Sequence, residues 1–330
     1  SGPPPPLLAA ASDPPPPAAT DPVTTLEDEE ESQDLTIQEA LANGRSWVKL
    51  RYRFEEVDQD SIDDKAHAST LRTLLGYETA VWRGFSALIE GEDVSEVGPD
   101  NYNSTVNSET ARPVVADPDG SEVNQSFLQY TGFEDTRVRA GRQRITLANH
   151  RFVGNVGWRQ NEQTFDAWSF ETTAVEGFTI YGAHIYNVNR ITGELSPAGD
   201  FETSSALLHV NREFEGAGTL NAYYYDLDFD TAVGLSSSTI GASWDGRIEG
   251  EELDFLYRAE IADQSDTGDN PNDVDAGYTN LEVGADVSGV VVKLGMETLE
   301  GSGDAGDSFK TPLATGHKFN GWADKFLATP

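Results

Sequence analysis

The sequence predicts an all-β protein, an up-and-down antiparallel transmembrane β-barrel. Three observations carry that expectation. Apolar and polar residues alternate with period two in one segment after another from residue 46 onward. The polar members of those segments are often charged, which suits a face turned toward an enclosed aqueous space better than a dry core. Connections alternate between tight turns and long loops rich in Asp, Asn, Gly and Ser.

Composition sets the outer bounds. The chain has 330 residues, 57 acidic and 22 basic, for a formal charge of −35. That field repels nucleic acid, so no nucleic-acid partner is expected. The acidity also fits solubility in salty surroundings. Cysteine is absent, which excludes disulfides, thiolate metal sites and thiol catalysis. No run approaches the roughly 18 apolar residues of a membrane-spanning helix. A spanning strand needs only about 10 residues, half of them apolar. The sequence opens at Ser1 with no charged-then-apolar leader, so a secreted form would be one already processed.

Residues 1–45 read as a Pro-rich and acidic periplasmic segment. "PPPP" recurs at 3–6 and 14–17, "LEDEEESQD" follows, and "LTIQEALANG" spaces Leu35, Ile37, Ala40 and Leu41 at near-helical intervals before Gly44. This is a candidate short helix acting as a plug or as a site for a periplasmic or surface partner. A solvated linker fits the same residues.

Residues 46–330 read as the barrel. In "SWVKLRYRFEEV", Val48, Leu50, Tyr52 and Phe54 share one face, and Lys49, Arg51, Arg53 and Glu55 the other. Similar alternation places Leu253, Phe255, Tyr257, Ala259 and Ile261 together, then Leu281, Val283, Ala285 and Val287, then Val292, Leu294 and Met296. Further strands are expected at 68–80, 84–92, 122–131, 136–147, 164–175, 178–190, 205–214, 218–229 and 237–245, for about 13 in all. Tight turns fall at 79–82, 132–136, 173–177, 213–218, 245–251 and 286–289. Long loops fall at 93–121, 148–163, 191–204 and 262–276, a sidedness typical of outer-membrane barrels. Tyr223, Tyr224 and Tyr225, with Trp47, Trp82, Trp158, Trp168 and Trp244, are expected at the membrane–water interfaces. A soluble sandwich would seldom load its polar face so heavily with charge.

The stretches "LRYRFEEVDQD" (50–60), "ASTLRTLLGYET" (68–79), "DPDGSEVNQSFLQY" (117–130), "RAGRQRI" (139–145), "GNVGWRQNEQTFDA" (154–167) and "GHKFNGWADKF" (316–326) together resemble Gram-negative outer-membrane porins of the alginate export family. The resemblance spans about 46–326. It implies a bacterial outer-membrane location, a monomeric barrel of about 16–18 strands and a passive transport role. Barrels of that kind end on a strand with a terminal aromatic residue. This sequence stops at "FLATP", so one or more C-terminal hairpins are expected beyond it.

The candidate site is a charged lumen. Arg137 and Arg139 are expected inside, opposite in parity to Val138 and Ala140. Arg142 and Arg144 have the other parity, so a bulge at Gly141 would be needed to turn them inward, or else they belong to the strand end. With Lys49, Arg51, Arg53, Arg72 and Arg159 they would make a cationic band. Glu55, Glu78, Glu90 and Glu92 are expected to face it, giving a transverse field across a pore. A ladder of structural salt bridges would use the same residues.

No catalytic motif appears, and no enzyme is expected. No cofactor is expected either. Asp226, Asp228 and Asp230, with Asp266, Asp269 and Asp273 in the loop "DQSDTGDNPNDVDAG", are weak Ca²⁺ candidates that lack an EF-hand loop. The expected partners are outer-membrane lipid, lipopolysaccharide and small hydrophilic solutes, with anionic sugars or oligosaccharides among them. The other functions left open are a dedicated polyuronate exporter, a surface barrel that binds a partner through its loops or Pro-rich head, and a soluble β-rich polysaccharide-binding enzyme.

Overall fold

The structure, a computed structural model, describes residues 35–60, 62–303 and 306–320. The Pro-rich and acidic stretches of the head lie outside the described residues. Helix α1 (Ile37–Ala42) begins at a capping box in which Thr36 and Glu39 satisfy each other's backbone N–H groups. It sits against the first tight turn through Ala80 N, which donates to Ala40 O at 3.0 Å, and through the Tyr77 hydroxyl on Leu41 O.

Among the described residues thirteen antiparallel strands follow, each bonded to its neighbours in sequence and forming one sheet. They are β1 (Arg45–Val57), β2 (Ala66–Glu78), β3 (Phe85–Asn101), β4 (Gly120–Phe133), β5 (Thr136–Gln143), β6 (Thr164–Thr172), β7 (Thr179–Asn189), β8 (Asp200–Phe214), β9 (Gly218–Leu227), β10 (Ser237–Ile248), β11 (Asp254–Asp266), β12 (Asp275–Val287) and β13 (Val290–Leu299). A four-residue helix α2 (His317–Asn320) closes the described chain. No helix among the described residues is long and apolar enough to cross a membrane.

The outer face follows the period-two pattern. Leu50 is 67% exposed, Ile261 67% and Leu294 76%. Val48, Tyr52, Phe54, Leu281 and Val283 join them in a continuous exposed apolar surface. Hydrocarbon removes the cost of such a surface, about 25 cal/mol per Å² in water.

The two ends of the sheet differ as expected. Tight turns join β4 to β5, β6 to β7 and β12 to β13 at one end, and longer connections lie at the other. The β12–β13 turn holds Ser288 at φ 53° and Gly289 at φ 86°, the two-residue hairpin geometry that matches strand twist. In outer-membrane barrels the short turns are periplasmic.

Several expectations need correction. β3 runs to Asn101, so the loop expected from 93 starts later. β5 stops at Gln143, short of 147. Gly141 takes φ 124°, where a Cβ would meet Ser126 O at 2.3 Å, yet pairing passes through it unshifted. The bulges fall elsewhere, among them at Glu90/Gly91 and Asp166/Ala167.

Of the aromatic residues, Trp168 is exposed on the outer face. Trp244 is pinned near the tight turns through Ala217 O at 2.9 Å. Tyr223 and Tyr225 instead are buried on the inner face, and only Tyr224 points out. Trp47 and Trp158 also lie inside, as their partners show below.

Candidate pore and its constriction loop

The connection between β5 and β6, residues 144–163, does not stand outside the barrel as a long external loop would. It folds across the concave side of the sheet. The physical reason is a set of backbone carbonyls that would be costly to leave unpaired, met by arginines on β1 and β2. Arg51 donates to Gly157 O at 3.0 Å, Arg159 O at 2.9 Å and Trp158 O at 2.7 Å. Arg53 donates to Trp158 O at 2.5 Å and stacks over the Trp158 ring at 4.2 Å. Arg72 donates to Gln160 O at 2.9 Å. These guanidiniums hold the loop.

Gln160 is fully buried at the centre of this lattice. Its amide donates to Thr70 Oγ1 at 2.9 Å and to Thr70 O at 3.2 Å. Its backbone N–H donates to Asp117 Oδ1 at 2.8 Å. Asp117, on the β3–β4 connection, also meets Arg53 at 3.2 Å and Arg159 at 3.9 Å. Arg159 pairs with Glu55 at 3.1 Å.

A second knot forms around Glu162. It accepts from Arg144 Nε at 2.7 Å, Asn124 Nδ2 at 2.6 Å and Asn155 Nδ2 at 2.7 Å. Burial pushes the Glu162 carboxyl up, but Arg144 and the two amides outweigh it and hold its pKa down at about 2. Glu90 accepts from Trp47 Nε1 at 2.6 Å and from Asn124 Nδ2 at 2.9 Å. Glu92 lies 3.6 Å from Arg72.

The far side of the loop meets a different wall. Phe152 packs against Tyr223, Tyr278 and Phe309 with ring centroids 5.1–5.7 Å apart. Val153 and Leu313 are buried and bridge backbone to backbone. Residues 306–320 thus form a second inward segment on β6–β12, and His317 stacks on Trp158 at 3.7 Å. Arg151 reaches Glu297 on β13 at 2.6 Å. Contact with β1 at one end and β13 at the other shows that the sheet curls around the loop.

Most of the expected site residues meet, and the others lie apart from them. Arg51, Arg53, Arg72, Arg144, Arg159, Glu55, Glu90 and Glu92 come together in the lattice. Arg137 and Arg139 lie nearer the tight turns, paired with Glu171 at 2.9 Å and Gln129 at 2.8 Å. With Arg144 they line a cavity of about 150 Å³ that Tyr181 also borders. Lys49 stays exposed, 5.8 Å over the Trp47 ring. Glu78 pairs with Arg45 at 2.7 Å near the tight turns, away from the lattice.

Two expectations change here. Arg142 pairs in register with exposed Ser126 and with Asp166, so its parity is outward. It binds Asp166 at 2.9 Å and Glu194 at 3.3 Å near the long-loop end. Arg144 turns inward because β5 ends one residue before it. Second, Glu55, Glu78, Glu90 and Glu92 do not face the arginines from across the lumen. They share β1–β3 with them. The opposite wall carries its own inner charges: Asp245 with Arg258 at 2.9 Å, Asp286 with Arg247 at 2.7 Å, and Glu282 with Lys293 at 2.7 Å.

Gln160, Asn124 and Asn155 escaped the charge-row reading because they carry no charge, and Asp117 and Glu162 because they lie on connections, where no alternation marks a face. Their signal was present in the stretches 117–130 and 154–167 that carry the family resemblance. Among the described residues no three acidic or histidine side chains converge as metal ligands. Of the acidic residues named as Ca²⁺ candidates, Asp266 accepts from Val274 N at 3.1 Å.

A family model described as alginate export matches residues 47–298. Solved structures share the fold at low identity. Pseudomonas aeruginosa OccK9 (OpdG) aligns with a TM-score of 0.63 at 11% identity, over 78% of this chain and 68% of that one. P. aeruginosa OpdK with vanillate gives 0.62 at 12%, over 78% and 67%. P. aeruginosa OccK2 (OpdF) in complex with glucuronate gives 0.62 at 12%, over 79% and 66%. This chain thus spans about two thirds of their length. No curated protein matches it.

Proposed function

This chain belongs to the alginate export family, and we propose that it is a passive channel for small hydrophilic anions. It is a porin-like β-barrel of the bacterial outer membrane. The observation that carries the anion reading is the division of labour among its arginines. Arg51, Arg53 and Arg72 hold the constriction loop, while Arg137, Arg139 and Arg144 border a cavity beside it. Guanidinium forks suit carboxylates as they pass. Vanillate and glucuronate, named with two of the similar structures, are both carboxylates and serve as test solutes.

A pore narrowed by an inward loop favours small anions and oligosaccharides over a long polyuronate. A dedicated polymer exporter is the second reading, supported by the same arginines. The test is single-channel recording in planar bilayers with a KCl gradient. Conductance steps with an anion-selective reversal potential support the proposal. An absence of steps removes it.

A further inference from the structure

Helix α1 sits at the tight-turn rim of the barrel. Two bonds set it there. Ala80 N, in the β2–β3 turn, donates to Ala40 O at 3.0 Å, and the Tyr77 hydroxyl donates to Leu41 O. Tyr77 pairs in register with Ser46 and Ile89, so it shares the outward parity of Val48 and Ile89. The helix is therefore bonded to the lipid side of the sheet, not to its inner face.

The helix has two unlike sides. Ala40 faces the protein and is 3% exposed. At roughly 100° per residue, Ile37 and Leu41 fall together on one side of it, and Glu39 and Asn43 on the other. Ile37 is 55% exposed and Leu41 57%. Six residues make too short a helix to stand alone in water, so its docking is what presents these two apolar side chains.

The apolar side continues the surface already turned to lipid. Around Tyr77 on the outward parity, Leu75, Ile89 and Phe85 are exposed. Phe85, Tyr130 and Phe133 follow at the same end with ring centroids 4.5 and 5.0 Å apart, as at a membrane–water boundary. Arg83, exposed in the β2–β3 turn, holds its guanidinium 5.3 Å over the Trp82 ring. A cation and an aromatic ring beside such a belt suit the level of headgroup phosphates.

We propose that α1 is an interfacial anchor docked on the phospholipid leaflet at the tight-turn end, with Ile37 and Leu41 in the acyl boundary and Glu39 and Asn43 in water. Short amphipathic helices lie in this plane when one side is apolar and the other polar. Tight turns are periplasmic in outer-membrane barrels, so the leaflet is the periplasmic one. Such an anchor is independent of what passes through the pore.

The experiment uses the full chain, which has no cysteine of its own. Ile37→Cys, Leu41→Cys and Asn43→Cys are made one at a time and labelled with a small fluorophore. Val48→Cys, on the outward row of β1, is the standard for lipid access. The proteins are reconstituted in phosphatidylcholine vesicles with or without bromines on the upper acyl chain, and iodide on both sides of the bilayer is the quencher from water. Bromolipid is expected to quench the labels at 37 and 41 at least about twice as strongly as the label at 43, and iodide to show the opposite order. Equal quenching at the three positions overturns the proposal. So does an iodide preference for 37 and 41, which would put that side of the helix in water, over the lumen as a plug or open to a protein partner. If bromolipid fails to quench the label at 48, the barrel reading itself falls and this inference with it, an outcome distinct from the other two.

Discussion

One loop meets two walls. On β1–β5 it is held by charge: guanidiniums on backbone carbonyls, and carboxylates among amides. On β6–β12 it is held by grease: Phe152 and Val153 pack with Leu313 and Phe309 of the second inward segment and with Tyr223 and Tyr278 of the wall. Both walls are inner faces of the same sheet, so facing inward does not decide polarity. What decides it is whether the facing segment offers bare backbone or apolar side chains. The apolar wall trades area for stability with little direction. The charged wall fixes position, because a buried ion without its partner is costly.

The largest expected effect breaks the charged side. Glu162→Ala removes the carboxylate that Arg144 grips and leaves Glu90 3.9 Å from that guanidinium. The expected loss is about 3–5 kcal/mol of unfolding free energy, the usual range for one partner removed from a buried pair. Urea titration in detergent reads it. Phe152→Ala breaks the other side, with an expected loss of about 3 kcal/mol, unchanged between low and high salt.

Acidity separates the walls further. The Glu162 pKa is depressed in the folded state, so its contribution is complete above its ordinary value of 4.5 and is lost as pH falls toward about 2. A shift of that size corresponds to roughly 3 kcal/mol. Unfolding midpoints measured from pH 6 to pH 3 are expected to fall faster for the parent than for Glu162→Gln. Equal slopes would remove Glu162 as the acid-sensitive anchor.

Selectivity comes next. Arg137→Glu with Arg139→Glu is expected to move the reversal potential toward cations, because both line the cavity. Arg142→Ala is the control with the smallest effect. Its side chain belongs to the outward parity, so the reversal potential is expected to stay unchanged.

The outer face was legible in the sequence because hydrocarbon imposes a strict rule. Val48, Leu50, Tyr52 and Phe54 had to share one side, and they do. Strand ends were less legible. β3 continues to Asn101 through "SEVGPDN", where no alternation marks an edge. Inner contacts were least legible, since hydrogen bonds between a loop carbonyl and an arginine more than 100 residues away leave no local pattern. Arg51 and Trp158 show this. Tyr223 and Tyr225 were misplaced because an aromatic residue suits both an interface and a packed interior. What the sequence did carry was composition: "GNVGWRQNEQTFDA" concentrates polar residues with bulky partners in the very segment that folds inward.

The absence of cysteine makes the decisive measurement clean. Single substitutions Leu50→Cys, Tyr52→Cys, Lys49→Cys and Arg139→Cys are introduced and the barrel is reconstituted in lipid vesicles. Membrane-soluble and water-soluble maleimides are then compared. The account requires positions 50 and 52 to react from the lipid phase and positions 49 and 139 to react from water. The reverse pattern would mean that the apolar rows point into the barrel and the charged rows out of it, and would contradict the account.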